Sequence, residues 1–178
     1  MSISDNINKL KTSIPETVKL VAVSKTKTTK EILKAYSNNH YDFGENKVQE
    51  LVKKAEILPK DINWHMIGHL QRNKVKYIAP FIHLIHTVDS LKLLKEIDKR
   101  AAQNRRIIDC LIQVHIGQED TKFGFNIKNV KQIIEDSTNY KNIEIKGLMG
   151  MASLTDNKKQ IEREFHQLKE LFDSINNK

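Results

Sequence analysis

The sequence predicts an α/β fold, built either as a (β/α) barrel or as an open doubly wound sheet. Short apolar runs of strand length recur along the chain, and each is followed by a segment with the apolar spacing of a helix. This alternation repeats about six times without a linker or low-complexity stretch. Strict alternation of this kind is typical of a parallel sheet, and we expect a single domain over residues 1–178.

The amino-terminal half begins with a short helix over residues 2–11, which Pro15 ends. The almost unbroken apolar run Val18–Val23 predicts a strand buried on both faces. Thr28 and Glu31 have the spacing of a capping box, which indicates the start of the next helix. The other predicted elements of this half are strands over 41–43 and 62–67 and helices over 48–55 and 71–79.

The carboxyl-terminal half repeats the pattern. Asp89 is a good N-cap for a helix over Leu91–Gln103, and the run over 107–116 is the most strand-like in the chain. The remaining predicted elements are strands over 81–88 and 143–149, a loop over 117–125, and helices over 127–134 and 158–175.

Polar residues at the strand ends favour the barrel over the open sheet. They recur where each predicted strand stops, as the mouth of a barrel requires. No glycine-rich phosphate loop follows the first strand, which weakens the dinucleotide-binding version of the open sheet. Because a complete barrel has eight units in about 250 residues, we expect a barrel with about six units and without the last ones.

Composition and charge exclude several classes of protein. Apolar residues make up 39% and charged residues 29%, which is ordinary for a globular domain. No apolar run approaches membrane-spanning length and no signal-peptide pattern is present, so we expect a cytoplasmic protein without a membrane partner. The single Cys110 lies in an apolar run and predicts neither a disulfide nor a catalytic thiol.

The net charge of +8 permits an anionic partner, but the lysines are spread along the chain. Many stand opposite apolar residues at helical spacing, which indicates a solvated face. The basic stretch 72–76 has no interleaved aromatic residues, and no nucleic-acid-binding motif is present. Nucleic-acid binding is therefore an alternative that rests on charge alone.

Lys25 is the first candidate functional residue, because it follows the first strand, where α/β folds collect their chemistry. Its amine could form a Schiff base with a carbonyl compound, although a free lysine with a pKa of about 10.4 is protonated at neutral pH. In an extended chain the Lys27 side chain would point the same way as that of Lys25. A neighbouring cation or burial lowers the pKa of a lysine and so favours its neutral amine. Spacing alone leaves open that both lysines only solubilise a loop.

His65 and His69 are four residues apart, as metal ligands on one helix face can be. Here a strand end and Gly68 intervene, so the spacing does not place both side chains on one face. We expect structural histidines and no metal site.

Six stretches of the sequence carry a family resemblance. They are AVSKTK (22–27), FGENKVQE (43–50), WHMIGHLQRNK (64–74), HTVD (86–89), KFGF (122–125) and GLM (147–149). In this order they resemble the pyridoxal-phosphate homeostasis proteins, the YggS/PROSC family, over nearly the whole chain. The resemblance implies a barrel like the N-terminal domain of alanine racemase, with pyridoxal 5′-phosphate (PLP) at its mouth.

The resemblance also implies roles for individual residues. Lys25 would hold PLP as a Schiff base, and Asn46 would lie near the cofactor ring, although Asn46 could instead cap the following helix. Lys122 matches a second lysine close to the site; Lys27 and Lys122 would favour the neutral amine of Lys25 or attract the phosphate. His65 and Met149 complete the implied cofactor-binding set.

The family is regarded as a carrier and regulator of free PLP, with PLP-dependent apo-enzymes as candidate recipients. A racemase-like enzyme is an alternative, but it would need a second acid/base group, which an additional domain typically supplies. The family's carboxyl-terminal phosphate-holding segment has no counterpart here, and His115 stands where asparagine is commoner. We therefore expect the 178-residue chain alone to bind PLP weakly and to self-associate through open sheet edges.

Overall fold

The computed structural model describes residues 2–119 and 123–176, which form a parallel sheet and its flanking helices. The strands of this part of the chain are β1 Ala22–Val23, β2 Asp42–Glu45, β3 Asn63–Met66, β4 Leu84–Val88, β5 Ile108–His115, β6 Phe125–Asn126 and β7 Ile143–Gly150. The helices are α1 Ile3–Ser13, α2 Thr29–Tyr36, α3 Val48–Ile57, α4 Val75–Ile78, α5 Leu91–Gln103, α6 Val130–Ser137 and α7 Lys158–Asn176. Short 3-10 turns over Arg72–Lys74 and Ile127–Asn129 precede α4 and α6.

The sheet runs in the order β1-β2-β3-β4-β5-β7, and every pair of neighbours is parallel. The two-residue β6 pairs with the end of β5. Within the described residues β1 pairs with β2 alone and β7 with β5 alone, so the sheet is a partial barrel whose outer strands do not meet. The predicted alternation of about six strand–helix units is thus confirmed.

The apolar core fills the space between the strands and the helices that follow them. Phe43, Trp64 and Met66 are at most 3% exposed, and the rings of Phe43 and Trp64 lie 6.1 Å apart. Helix α3 contacts both β2 and β3, and Leu51 on α3 is fully buried. Burial of this face holds the strand ends, and the loops that follow them, in fixed positions.

The N-caps of helices α2 and α5 can be compared with those predicted from the sequence. Thr28 and Glu31 form the predicted capping box of α2, with each side chain bonded to the other residue's backbone. The N-cap predicted at Asp89 is wrong, because Ser90 caps α5 by accepting from the Leu93 amide. Asp89 instead bonds the imidazole of His69.

The first strand is shorter and more exposed than predicted. Only Ala22–Val23 pairs as a strand, and Val18 and Val23 are 51% and 53% exposed, so the expectation of burial on both faces is wrong. An apolar run indicates a tendency to be buried but does not show which neighbours the strand has, and among the described residues β1 pairs with β2 alone. No helix of the described residues is both long and apolar enough to cross a membrane.

Candidate functional site

Lys25 lies in a tight turn at the carboxyl end of β1, and its side chain is exposed. The turn begins at Ser24, whose amide extends the β1–β2 ladder by donating to the Gly44 carbonyl at 2.9 Å. It closes with a bond from the Lys27 amide to the Ser24 carbonyl at 3.0 Å. Thr26 has a φ of 65°, a left-handed conformation that turns the chain out of the strand direction.

A buried ionic network holds the start of this turn. The Lys54 amine on α3 donates to the Ser24 carbonyl, to Glu45 Oε1 and to Glu50 Oε1, each at 2.7 Å. The Ser24 hydroxyl donates to the same Glu45 oxygen at 2.6 Å. Glu45 is fully buried and Lys54 is 6% exposed, so each charge depends on the other for stabilisation.

Glu50 holds the far side of the turn. Its Oε1 accepts from the Thr26 amide at 2.7 Å, in addition to the bond from Lys54. The bond from Lys54 and that from Thr26 lower the pKa of Glu50 despite partial desolvation, so the carboxylate is charged at neutral pH. Ser24 and Thr26, on either side of Lys25, are therefore both bonded to α3. These bonds hold the backbone of Lys25 in place while its side chain extends into solvent.

The condition under which Lys25 and Lys27 would point the same way is not met, because the chain is not extended at Thr26. The Lys27 amine lies 3.4 Å from Glu31 Oε1, an i,i+4 ion pair on α2. Lys27 also lines an apolar groove of about 230 Å³ between α1 and α2. The structure therefore directs Lys27 towards α2.

Asn46 lies at the level of Lys25 on the neighbouring strand end. Val23 pairs with Gly44, and Lys25 and Asn46 each come two residues after this pair. The N-cap of α3 is Lys47, and no side-chain capping bond forms there. Among the bonds of the described residues, Asn46 contributes none from its side chain, so the capping alternative has no support.

Gly68 brings the end of β3 against Asn46. A Cβ at Gly68 would lie 2.4 Å from the Asn46 carbonyl oxygen and 2.7 Å from its Cα, so only glycine fits this contact. The Thr87 hydroxyl donates to the Gly68 carbonyl at 2.8 Å, which ties the end of β4 to the same point. The carboxyl ends of β2, β3 and β4 are thus joined by direct contacts.

His65 is buried and bonded at both ring nitrogens. Its Nε2 donates to Asp42 Oδ1 at 3.0 Å, and its Nδ1 lies 2.9 Å from His86 Nε2. Burial lowers the pKa of His65, against the opposing bond to Asp42. Burial, helped by the nearby His65 and His83, lowers the pKa of His86 to about 4. These imidazoles are neutral at neutral pH, as structural histidines are.

His69 has different partners from His65, so the two do not form a pair. Its Nδ1 lies 3.1 Å from Asp89 Oδ2, and its ring stacks on Phe123 at 3.9 Å. Both His69 and Asp89, with Arg72, line an open cleft of about 590 Å³ beside the ends of β3 and β4. Lys25 and Asn46 are not part of the lining of this cleft.

Of the remaining predicted site residues, the structure describes Met149, which lies towards the far edge of the sheet. Met149 is half-buried near the end of β7 and pairs with Gln113 on β5. Lys122 lies outside the described residues. His115, the last residue of β5, has a buried Nε2 without a hydrogen-bond partner in the described part of the chain.

Sequence reasoning missed the residues that position the turn, namely Glu45, Glu50 and Lys54. Glu45 and Glu50 lie inside the FGENKVQE stretch, but nothing in the sequence shows that they bond the first strand's loop. The available signal was the i,i+4 spacing of Glu50 and Lys54, which ordinarily indicates a surface pair on a helix.

Comparison with known proteins gives the same fold and family. The alanine racemase N-terminal domain family matches residues 1–178. A pyridoxal phosphate homeostasis protein of Aquifex aeolicus is 39% identical over 158 residues, covering 88% of this chain and 69% of that protein. One from Helicobacter pylori strain 26695 is 39% identical over 163 residues, covering 90% of this chain and 73% of that protein.

Solved structures add the three-dimensional comparison. PipY of Synechococcus elongatus with PLP bound has a TM-score of 0.89 at 28% identity, covering 99% of this chain and 82% of that one. An alanine racemase of Clostridium difficile has a TM-score of 0.77 at 14% identity, covering 98% and 47%, and shows the shared fold alone. The predicted fold class and the resemblance noted in the sequence are confirmed: the chain belongs to the pyridoxal phosphate homeostasis protein family and has the fold of the alanine racemase N-terminal domain.

Proposed function

We propose that this chain binds PLP through a Schiff base on Lys25 and acts in PLP homeostasis as a carrier inside the cell. The observation that carries the proposal is the exposed Lys25 side chain on a turn anchored to α3 on both sides. Support comes from relatives named pyridoxal phosphate homeostasis proteins and from PipY, which was solved with PLP bound.

The residues around Lys25 fit the chemistry of PLP. In the covalent link the Lys25 nitrogen replaces the aldehyde oxygen of PLP, and water leaves. Asn46, which like Lys25 comes two residues after the Val23–Gly44 pair, would offer an amide to the ring. Across the mouth, at the end of β5, His115 Nε2 has no hydrogen-bond partner among the described residues and would offer a further polar group. Met149 would line the far side of the same mouth.

Charge would attract the phosphate of PLP. Lys27 and Lys122 are the proposed sources, together with the net charge of +8. His65 would act indirectly, since both of its nitrogens are bonded within the protein and it supports β3 beside the site.

A carrier needs to hold PLP accessibly rather than to direct protons on a substrate. An exposed lysine on a fixed turn suits that task, because the covalent link can form and be reversed by water or by another amine. We propose PLP-dependent apo-enzymes as recipients and the cytoplasm as the location.

Borohydride trapping tests the Schiff base. Purified protein is mixed with PLP, reduced and digested, and the expected result is the reduced cofactor mass on the peptide that contains Lys25. Lys25→Ala should lose both this label and the change in absorption on adding PLP. Lys30→Ala, which removes an exposed lysine of α2, is the matched control and should keep both. Labelling of Lys27 or Lys122 with Lys25 unmodified would refute the assignment.

Transfer of PLP tests the carrier role separately. An apo-aminotransferase is mixed with the loaded protein or with free PLP at the same total concentration, and recovery of aminotransferase activity is followed. A carrier predicts recovery whose rate increases with loaded protein when free PLP is held constant. A rate set by free PLP alone would exclude direct delivery and leave only a storage role.

A further inference from the structure

A second cluster of side chains with ligand chemistry lies towards the starts of β2, β3 and β4. It consists of Asp42, the first residue of β2, His65 on β3, and His83 immediately before β4. Lys25, by contrast, follows a strand. Because the strands are parallel, Asp42 at the start of β2 and Lys25 after the end of β1 lie at opposite ends of the sheet, and His65, the third residue of β3, lies between them.

We propose that Asp42, His65 and His83 form a binding site for a divalent transition-metal ion, with Zn²⁺ as the best match. One oxygen of Asp42 and one nitrogen of each histidine all lie within 4.8 Å of one another. Two imidazole nitrogens and one carboxylate oxygen are ligands that Zn²⁺ prefers, whereas Mg²⁺ and Ca²⁺ favour oxygen alone.

The distances suit a single tetrahedral ion. His65 Nε2 and Asp42 Oδ1 are 3.0 Å apart, and two ligand atoms on a tetrahedral Zn²⁺ are expected about 3.3 Å apart. The rings of His65 and His83 are 5.2 Å apart at 68°, and two imidazoles on one such ion should have centres about 5 Å apart. The three ligand atoms lie within 4.8 Å of one another, so side-chain rotation would have to bring them to about 3.3 Å.

The neighbouring residues supply the orientation that metal ligands require. His65 Nδ1 lies 2.9 Å from His86 Nε2, so His65 can bind the ion through Nε2 with its proton on Nδ1, donated to His86. The Asn63 amide donates to Asp42 Oδ1 at 3.2 Å and restrains the carboxylate.

The site is accessible to an ion from solvent. His83 is exposed and the Asp42 side chain is 17% exposed, while His65 is buried at the base. Three protein ligands leave the fourth position to water. Lys19 is the competing cation, but its amine is 3.5 Å from Asp42 Oδ1 on a side chain that is 59% exposed, a weak surface pair that an ion can displace.

A bound ion would join β2, β3 and the segment that precedes β4. In the order of the sheet, β2, β3 and β4 follow β1, the outer strand on this side. The ion would therefore act as a cross-link that stabilises this half of the partial barrel.

Titration with Zn²⁺ alone tests the site in the full chain, treated with chelator and kept free of PLP. Calorimetry should give one equivalent of Zn²⁺, and Asp42→Asn and His83→Asn should each weaken binding at least about tenfold. His69→Asn, which removes the imidazole of the other histidine–aspartate pair, should leave binding unchanged. Lys19→Met should strengthen it.

Co²⁺ reports the geometry, because four-coordinate Co²⁺ absorbs visible light far more strongly than the hydrated ion. We expect a strong band in the wild type and its loss in His83→Asn. Since His83 is exposed, this variant should fold normally, and circular dichroism checks that it does. Equal Zn²⁺ affinity of wild type and His83→Asn, loss of binding in His69→Asn, or a Co²⁺ spectrum of the hydrated ion would each overturn the proposal.

Discussion

The Lys54 amine lies 2.7 Å from the Ser24 carbonyl oxygen and 2.7 Å from Glu45 Oε1, in a region closed to solvent. It joins α3 to the residue that immediately precedes Lys25. A buried ammonium is stable only with paired acceptors, and here the acceptors lie on two different strand ends. The position of the Lys25 turn therefore depends on a helix residue far from it in sequence.

Replacing Lys54 with methionine should destabilise the protein by about 3–5 kcal/mol, because the buried Glu45 carboxylate loses its cation. The Ser24 carbonyl loses a donor at the same time, so the turn should loosen and PLP should attach to Lys25 more slowly. Urea unfolding measures the first effect, and the rate of the absorption change after mixing with PLP measures the second.

Lys53→Met is the matched control, since Lys53 is the preceding residue on the same helix and is exposed. Its stability should stay within about 0.5 kcal/mol of wild type. Adding Glu45→Gln to Lys54→Met should recover part of the loss, because the unpaired charge is then gone. Equal stability of Lys53→Met and Lys54→Met would show that the network contributes nothing.

Glu50 makes the stability of the folded protein depend on pH in the acid range. The bond from Lys54 lowers the pKa of Glu50 in the folded protein below its ordinary value of 4.5. The folded state therefore holds this proton less tightly than the unfolded state, and the stabilisation is complete above about pH 4.5 and lost as the pH falls through the folded pKa.

Urea unfolding from pH 6 to pH 3.5 should show wild type losing more stability than Glu50→Gln. The exposed Glu56→Gln on the same helix serves as the control and should follow wild type. Parallel pH curves for wild type and Glu50→Gln would mean that the Lys54–Glu50 bond does not stabilise the fold.

Much of the fold follows from local sequence signals. The capping box at Thr28 and Glu31 and the helix Leu91–Gln103 depend on residues close together in the chain, and both appear as predicted. The choice of Ser90 over Asp89 as N-cap could not be predicted, since both are good caps and nothing local in the sequence shows that Asp89 bonds His69, twenty residues away.

The candidate site residues were predicted in two ways. Lys25 was singled out by its place after the first strand, and Asn46 by a family motif. In the structure each comes two residues after the paired Val23 and Gly44. The role of Lys54 could not be predicted from the sequence, because Ser24, the turn residue that it bonds, is thirty residues away in the chain. Likewise, Asp42 and His83 meet His65 only after three strands have paired, so nothing in the sequence spacing brings these three residues together.

Gly68→Ala should displace the Asn46 backbone. The added methyl group would lie 2.4 Å from the Asn46 carbonyl oxygen, and backbone cannot yield as a side chain can. We expect a loss of about 3 kcal/mol and a change in the environment of Asn46. Urea unfolding and amide chemical shifts of Asn46 and Lys47 measure these effects.

Gly44→Ala is the comparison for Gly68→Ala, because its methyl group would meet chiefly the flexible end of Ile67, at 2.8 Å. This variant should cost about 1 kcal/mol and leave Asn46 in place. If Gly68→Ala were as stable as Gly44→Ala, the strand ends would have more freedom than the Gly68–Asn46 contact indicates.

Glu164 on α7 should hold the loops after β5 and β7 together. Its carboxylate accepts from the Ser153 amide at 2.6 Å and from the Ser153 hydroxyl at 2.8 Å, and it is 3% exposed. The Ser153 hydroxyl in turn accepts from the Gln118 amide at 2.9 Å. Glu164→Ala removes a buried acceptor and should cost about 2 kcal/mol, with faster hydrogen exchange at Ser153 and at Gln118.

The exposed neighbour Glu162 provides the control, and Glu162→Ala should change neither stability nor exchange. Glu164→Gln keeps one carbonyl oxygen as an acceptor, so its loss should fall between those of the two alanine variants. The exchange rate at Gln118 decides the matter, because the described bonds connect Gln118 to Glu164 through Ser153. Faster exchange at Ser153 with an unchanged rate at Gln118 would show that the two loops move independently, and that α7 holds only the loop after β7.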